Sequence, residues 1–439
     1  MLAALKRWGK EAEPWYLAMA MANLVMGTSS ILVPLMISKV LQNSVRELGL
    51  LSTLVSLVGI LGSLIWGRLS DAAHRRKPFI VLSFAATGLA FAGVALTQTF
   101  DTLLFINMTL NFFWVANASV MVLIVIENRE RSEWEHRISR LNQFGALGWL
   151  VGLIFGSLVL AVATRFTDEV TAIRLMFWLL AVGGVGATAL AVRWVPYTRA
   201  RLTKRRFRGI VTALGNFLIE RGKFNPLHLY HRLHPSRISS LLRGGEGLRH
   251  ETRLFLIIDG LAFTAFGLVF VPLPLLFADE LDIPAAMIFS YFVLNTAVVV
   301  LTYPFASHRI KRKGNRAIQV RAVATRFVSF TLLAVLLGIS PTSLPALIIS
   351  GFMIAAGISW SYFQLSGIAL ATRLARPENR GHVLGLYNAM AGLGMIIAGV
   401  SSGYLAQWLG YSAVFAVAAA LLAVTLFLLH RLPDPNLQG

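Results

Sequence analysis

Residues 67–78 read GRLSDAAHRRKP, and residues 304–315 read PFASHRIKRKGN. Both are short basic turns set between long apolar runs. Working outward from them, apolar stretches fall at 16–40, 48–67, 79–98, 102–126, 141–163, 173–195, 252–278, 285–306, 318–338, 343–372, 383–406 and 409–430. A helix rises about 1.5 Å per residue and the hydrocarbon core is about 30 Å thick, so about 20 apolar residues suffice to cross it. The pattern predicts an all-α membrane protein with twelve transmembrane helices in two pseudo-symmetric six-helix bundles, 1–195 and 251–439. A basic cytoplasmic linker, 196–250, joins them.

Composition agrees with this expectation. The chain is 56% hydrophobic and 14% charged, with a mean hydropathy of +0.68. A soluble domain of 439 residues with that content would expose apolar surface to water. Lys and Arg number 40 against 20 Asp and Glu, a formal net charge of +20, and the position of that charge decides its meaning. Thirty-five of the basic residues lie in the two tails and the even-numbered loops, and only Lys39, Arg46, Arg165 and Arg174 lie in the odd-numbered ones. Basic residues near span ends are retained inside, which predicts a multi-pass protein of the plasma (inner) membrane with both termini cytoplasmic. The first stretch lacks a small-residue cleavage site and is expected to remain in the mature protein.

Within the linker, Phe207, Ile210, Val211, Leu214 and Leu218 share one helical face, opposite Lys204, Arg205, Arg206, Arg208 and Arg221. That pattern predicts an amphipathic helix over 204–221 lying among anionic lipid headgroups, not a nucleic-acid surface. The chain has no cysteine, and His228, His231 and His234 have no acids near them, so no metal site is expected. No phosphate-binding loop, dinucleotide fingerprint or nucleophile elbow occurs, so neither a cofactor nor an enzymatic activity is expected.

The two halves repeat. Asn142 is followed by Gly148, Gly152 and Gly156, and Asn388 by Gly394, Gly399 and Gly403; Gly145 extends the first run. Such runs let helices approach closely, and parallel six-span halves mark transporter folds whose substrate site lies between the halves.

On these features the chain resembles the major facilitator superfamily. Its signature in the loop after span 2 is a glycine, three residues, an aspartate, and two basic residues five and six positions on, matched here by Gly67, Asp71, Arg76 and Lys77. Ala72 and His74 depart from it, as do Pro304 and His308 in the second copy. The resemblance implies a fold that rocks between inward- and outward-open states. Asp71, with Gly67, Arg75, Arg76 and Lys77, is then a candidate cytoplasmic gate facing the start of span 11 near Arg380 and Gly381. A carboxylate at a helix N-terminus stabilises such a contact by about 0.3–2 kcal/mol.

Polar residues inside spans should face protein or a water-filled path. Asn23, Asn107, Asn111, Trp114, Tyr291, Asn295, Trp360, Tyr362 and Gln364 are the candidate substrate-binding residues, with interhelical packing or interfacial anchoring as the alternative for each. Asp259 is the one acid well inside a span; it could carry a coupling proton, pair with a cationic substrate, or stand in the cytoplasmic vestibule. Arg326, at similar depth, is expected to snorkel to the interface. The expected function is secondary-active transport of a small organic solute by a monomer. Aromatic residues with a single acid suit proton-coupled efflux of amphipathic or cationic compounds, whereas Asn, Gln, Trp and Tyr suit a neutral sugar- or nucleoside-like solute. A receptor or lipid-moving protein on the same scaffold is the alternative of another class.

Overall fold

A computed structural model of the chain describes residues 13–73, 76–127, 134–196, 248–375 and 380–432. The predicted amphipathic helix at 204–221 lies outside them. All regular elements among the described residues are helical, and ten helical segments are long and apolar enough to cross a membrane.

Helix α1 (Tyr16–Leu35) runs into a single π turn, Met36–Val40, and α2 spans Val45–Ala73. Helices α3 (Lys77–Leu96), α4 (Phe100–Glu127), α5 (Trp134–Ala163) and α6 (Glu169–Trp194) complete the N-terminal set. In the C-terminal set, α7 (His250–Phe270) continues through Leu273–Leu275 into a second π turn, Leu276–Glu280. Then come α8 (Ala285–Lys313), α9 (Asn315–Ile339), α10 (Ala346–Leu374) and the run Arg380–Arg431. At Gly410 that run takes φ 79°, a left-handed conformation that costs glycine nothing, so it divides into α11 (380–409) and α12 (411–431).

The π turns correspond residue for residue. The amides of Leu41 and Leu281 bond to the Met36 and Leu276 carbonyls at 2.9 and 3.1 Å, and those of Asn43 and Ile283 bond to Ile37 and Phe277 at 2.9 and 2.8 Å. Gln42 and Asp282, at φ 53° and 47°, turn the chain back in each copy. After the first, the Glu47 carboxylate accepts from the Ser44 amide at 3.1 Å, a capping box that starts α2.

Packing repeats in the same way. Helix α1 packs on α5 and α7 on α11, α2 on α4 and α8 on α10, and α3 on both α4 and α6. Helix α9 packs on α10, and Phe330 and Phe415 join it to α12, with ring centroids 6.0 Å apart. The closest approach is α1 against α5: a Cβ on Gly148 would overlap the Ala20 carbonyl, one on Gly152 the Leu24 carbonyl, and the Thr28 hydroxyl donates to the Gly152 carbonyl at 2.6 Å. In the other set Gly394 packs against the Gly260 carbonyl, where a Cβ would lie at 2.8 Å.

Overpacking of this kind costs about 1–3 kcal/mol. Gly152→Val should therefore lower the melting temperature measurably. Gly351→Ala, where nothing lies within 4 Å of the added carbon, should leave it unchanged or raise it. Equal effects at both positions would show that close approach of α1 and α5 does not limit stability.

Candidate functional site

The two sets of helices meet along two matching seams, α2 with α11 and α5 with α8. In the first, the Thr53 hydroxyl donates to the Ile396 carbonyl at 3.1 Å. A Cβ on Gly399 would meet Thr53 Oγ1 at 2.5 Å, and one on Gly403 would meet the Val45 carbonyl at 2.9 Å. In the second, Gly156 lies against the Phe289 ring and the Ser157 hydroxyl donates to the Ala286 carbonyl at 3.0 Å. These contacts gather near the end of the bundle away from residues 13 and 432.

The π turns touch at that same end. Lys39 and Asp279, each the fourth residue of its turn, form an ion pair at 3.8 Å. Lys39 Nζ also donates to the Ala278 carbonyl at 2.8 Å, and the Ser38 hydroxyl donates to the Asp279 carboxylate. A residue and its counterpart in the repeat thus carry opposite charges where the two copies touch.

Asp259 on α7 is fully buried, and neither carboxylate oxygen makes a hydrogen bond of good geometry among the described residues. The Tyr387 hydroxyl of α11 lies beside it. Nearby on the same face of the bundle, the Ser366 hydroxyl donates to the Gln319 side-chain carbonyl. One heptad along α9 from Gln319 is Arg326, which does not snorkel as the sequence suggests. At 3% exposure, its Nε donates to the Ser359 hydroxyl at 3.0 Å and its Nη2 to the Ala356 carbonyl at 3.2 Å. Its guanidinium lies 3.9 Å from the centre of the Phe266 ring, 5.3 Å from that of Phe270 and 5.4 Å from that of Trp360. Cation–π attraction of this kind, worth about 2 kcal/mol when desolvated, offsets part of the cost of enclosing the charge. Sequence depth alone gave no sign of the aromatic cage, because its rings come from two other helices.

The candidate substrate residues separate into groups. Half-buried Trp360 packs edge-on against Phe263, ring centroids 5.9 Å apart, and one turn along α10 the Gln364 carbonyl accepts from the Tyr303 hydroxyl at 3.0 Å. Asn111 donates to the Val55 carbonyl at 2.6 Å, tying α4 to α2, and Asn295 donates to the Met353 carbonyl at 2.9 Å, tying α8 to α10. Asn23 and Asn107 bond back to their own helices, at the Met19 and Leu103 carbonyls, both at 2.9 Å; Gly145 packs beside Asn23. Trp114 packs on Phe84, and buried Tyr291 on Phe277. Tyr362 turns away from Trp360 and accepts from Arg309 Nη1 at 3.0 Å. Of the candidate gate, Arg76 and Lys77 are buried at the start of α3. Gly67 and Asp71 fall on the last turns of α2, where the surroundings of Gly67 and the side chain of Asp71 are outside what the structure describes, as is all of Arg75.

Comparison with known proteins places these features. The model of the Major Facilitator Superfamily matches residues 15–365 and 255–438. The chain is 24% identical over 384 residues to sugar efflux transporter B of Salmonella typhimurium, covering 86% of this chain and 84% of the relative. To sugar efflux transporter A of Escherichia coli it is 27% identical over 203 residues, 46% of this chain and 49% of that one. Among solved structures it is similar to a POT family transporter in complex with 5-aminolevulinic acid, with TM-score 0.74, 14% identity, and 97% and 96% of the two chains covered. The nucleoside transporter NupG gives TM-score 0.67 at 13% identity, with 95% and 98% covered.

Interhelical side-chain hydrogen bonds in membrane proteins are worth about 0.6–2 kcal/mol. Asn111→Ala and Asn295→Ala should each lower the melting temperature while leaving substrate affinity within about twofold. Lost affinity at an unchanged melting temperature would make these amides substrate contacts instead.

Proposed function

Because the chain belongs to the Major Facilitator Superfamily, a family of transporters and not of enzymes, we propose that it is a proton-coupled exporter of a small sugar-like solute, working by alternating access in the plasma (inner) membrane. Counting α4 and both sides of Gly410 with the remaining long helices gives twelve crossings, six in 1–195 and six in 251–439, joined by the basic segment 196–250. With the basic loops cytoplasmic, the end that carries the Lys39–Asp279 ion pair is the outer one.

The observation that carries the coupling is Asp259: a carboxylate fully enclosed, without a cationic partner among the described residues. Burying an unpaired charge costs several kcal/mol, and a bound proton removes that cost. A rocking motion that admits water beside Tyr387 then releases the proton, so the occupancy of Asp259 follows the state of the transporter. Trp360, with Gln364 and Tyr303 one turn away, offers an aromatic face beside amide and hydroxyl groups, the combination that suits a polyhydroxylated solute. The name of the Salmonella relative points the same way. Export of cationic compounds is less well supported, because the buried guanidinium of Arg326 already lies over the Phe266 and Phe270 rings and would repel a second cation there. Asp71 is assigned to closing the cytoplasmic end.

Two variants assayed side by side in proteoliposomes test this reading. Asp259→Asn should abolish gradient-driven accumulation of sugar yet preserve sugar exchange, which moves no net proton. Asp71→Asn should keep coupling but increase labelling of single cysteines placed on the cytoplasmic halves of α5 and α11, a clean assay in a chain with no native cysteine. Accumulation with normal pH dependence in Asp259→Asn would refute the coupling role, and unchanged labelling in Asp71→Asn would refute the gate.

A further inference from the structure

On the flank of the C-terminal set, α8, α9 and α10 line an open groove of about 620 Å³ that does not include Asp259 in its lining. That volume is within the 300–1,000 Å³ typical of small-molecule sites. At one end stand Arg309 of α8 and Arg321 of α9; Thr325, Val328 and Ser329 continue along α9, and Tyr362 of α10 forms part of the floor. From Arg321 to Ser329 the groove follows the helix for about 12 Å.

Its lining contains two guanidinium groups and no carboxylate. Both arginines are exposed, and neither forms an ion pair among the described residues. Arg309 is nonetheless held in place, because its Nη1 donates to the Tyr362 hydroxyl at 3.0 Å and its guanidinium lies 5.9 Å from the centre of that ring. Beyond the arginines the surface is apolar and open: Val328 is 62% exposed, and Leu332 and Phe305 on the same flank are 54% and 66% exposed. In a bundle of membrane-crossing helices such a surface meets hydrocarbon. The charged end of the groove lies near the turn between α8 and α9 at Gly314, on the side of the bundle that carries residues 13 and 432.

We propose that this groove is a binding site for one anionic phospholipid. Its phosphate sits between Arg309 and Arg321 with Tyr362 beside it, and an acyl chain runs along Thr325, Val328 and Ser329. The depth of the site selects the occupant. A water-soluble anion would have to leave water for the edge of the hydrocarbon, whereas an anionic lipid presents its phosphate at the arginines and its chain at the apolar wall without leaving the bilayer. Because the groove is walled by α8, α9 and α10 together, an occupant fixes their spacing and stabilises the C-terminal set.

The test uses the full chain purified into nanodiscs of phosphatidylcholine alone or with phosphatidylglycerol. Phosphatidylglycerol should raise the melting temperature of the wild type and be retained in native mass spectra. Each basic residue near anionic lipid contributes about 1 kcal/mol, so the double variant Arg309→Gln/Arg321→Gln should bind it at least about tenfold more weakly. Its melting temperature in phosphatidylcholine alone should be that of the wild type. Val328→Trp keeps both charges and fills the channel for the acyl chain, so it should reduce retention as well and covers the case of a misfolded double variant. Undiminished retention in both variants would overturn the proposal by assigning the arginines to snorkelling alone. Stabilisation of the detergent-solubilised protein by inorganic phosphate, lost in the double variant, would overturn it in favour of a free-anion site.

Discussion

Hydrocarbon offers no hydrogen-bond partner to a backbone amide, so every crossing segment must satisfy its own backbone, and helices do so. That constraint also removes the hydrophobic drive that assembles soluble bundles, since lipid tails are as apolar as leucine. What remains is close contact between backbones and a small number of polar ties. Helix α1 meets α5 so closely that Gly148 and Gly152 have no room for a side chain, and the Thr28 hydroxyl bonds a carbonyl left accessible by that approach. Asn111 and Asn295 do the same work in the other helix pairs of the two sets.

The same physics explains why the C-terminal set carries its charges as it does. Arg326 is enclosed by three aromatic faces and two oxygen acceptors, which compensate part of its charge without a carboxylate, although its Nη1 has no hydrogen-bond partner among the described residues. Asp259, two turns along α7 from Phe266, has no comparable arrangement. A compensated cation is a fixed part of the structure, whereas an uncompensated carboxylate is a group whose state must change when water reaches it. In the proposed cycle the first belongs to the scaffold and the second to the coupling. The π turns add a matching device at the far end, where the repeat places Lys39 against Asp279.

Hydropathy and charge made the architecture legible in the sequence. The expected first stretch, 16–40, covers α1 together with its π turn, because both are apolar and hydropathy does not distinguish a π turn from an α turn. A division is expected in this region, between the stretches ending at 406 and starting at 409, but the helix breaks at Gly410, inside the expected last stretch, because hydropathy does not register a glycine's backbone conformation. The site was less legible, because a polar residue within a span reads the same whether it faces a substrate path or another helix. Asn111 and Asn295 are used in helix contacts, and Tyr362 belongs to the lateral groove and not to the face of Trp360. Arg326 could not be placed from its own position, since its partners come from α7 and α10. Depth along a helix is encoded locally; the identity of the neighbour is not.

Alternating access requires the contacts at the far end to open as the other end closes. Spin labels at Phe166 and Leu347, both highly exposed near that end, report the separation of the two sets by pulsed electron resonance in a chain free of native cysteine. Two distance populations, whose ratio shifts when sugar is added or pH is changed and shifts towards the longer distance in Lys39→Ala, are the predicted result. A single distance, unmoved by sugar, pH or the loss of Lys39, would contradict the account.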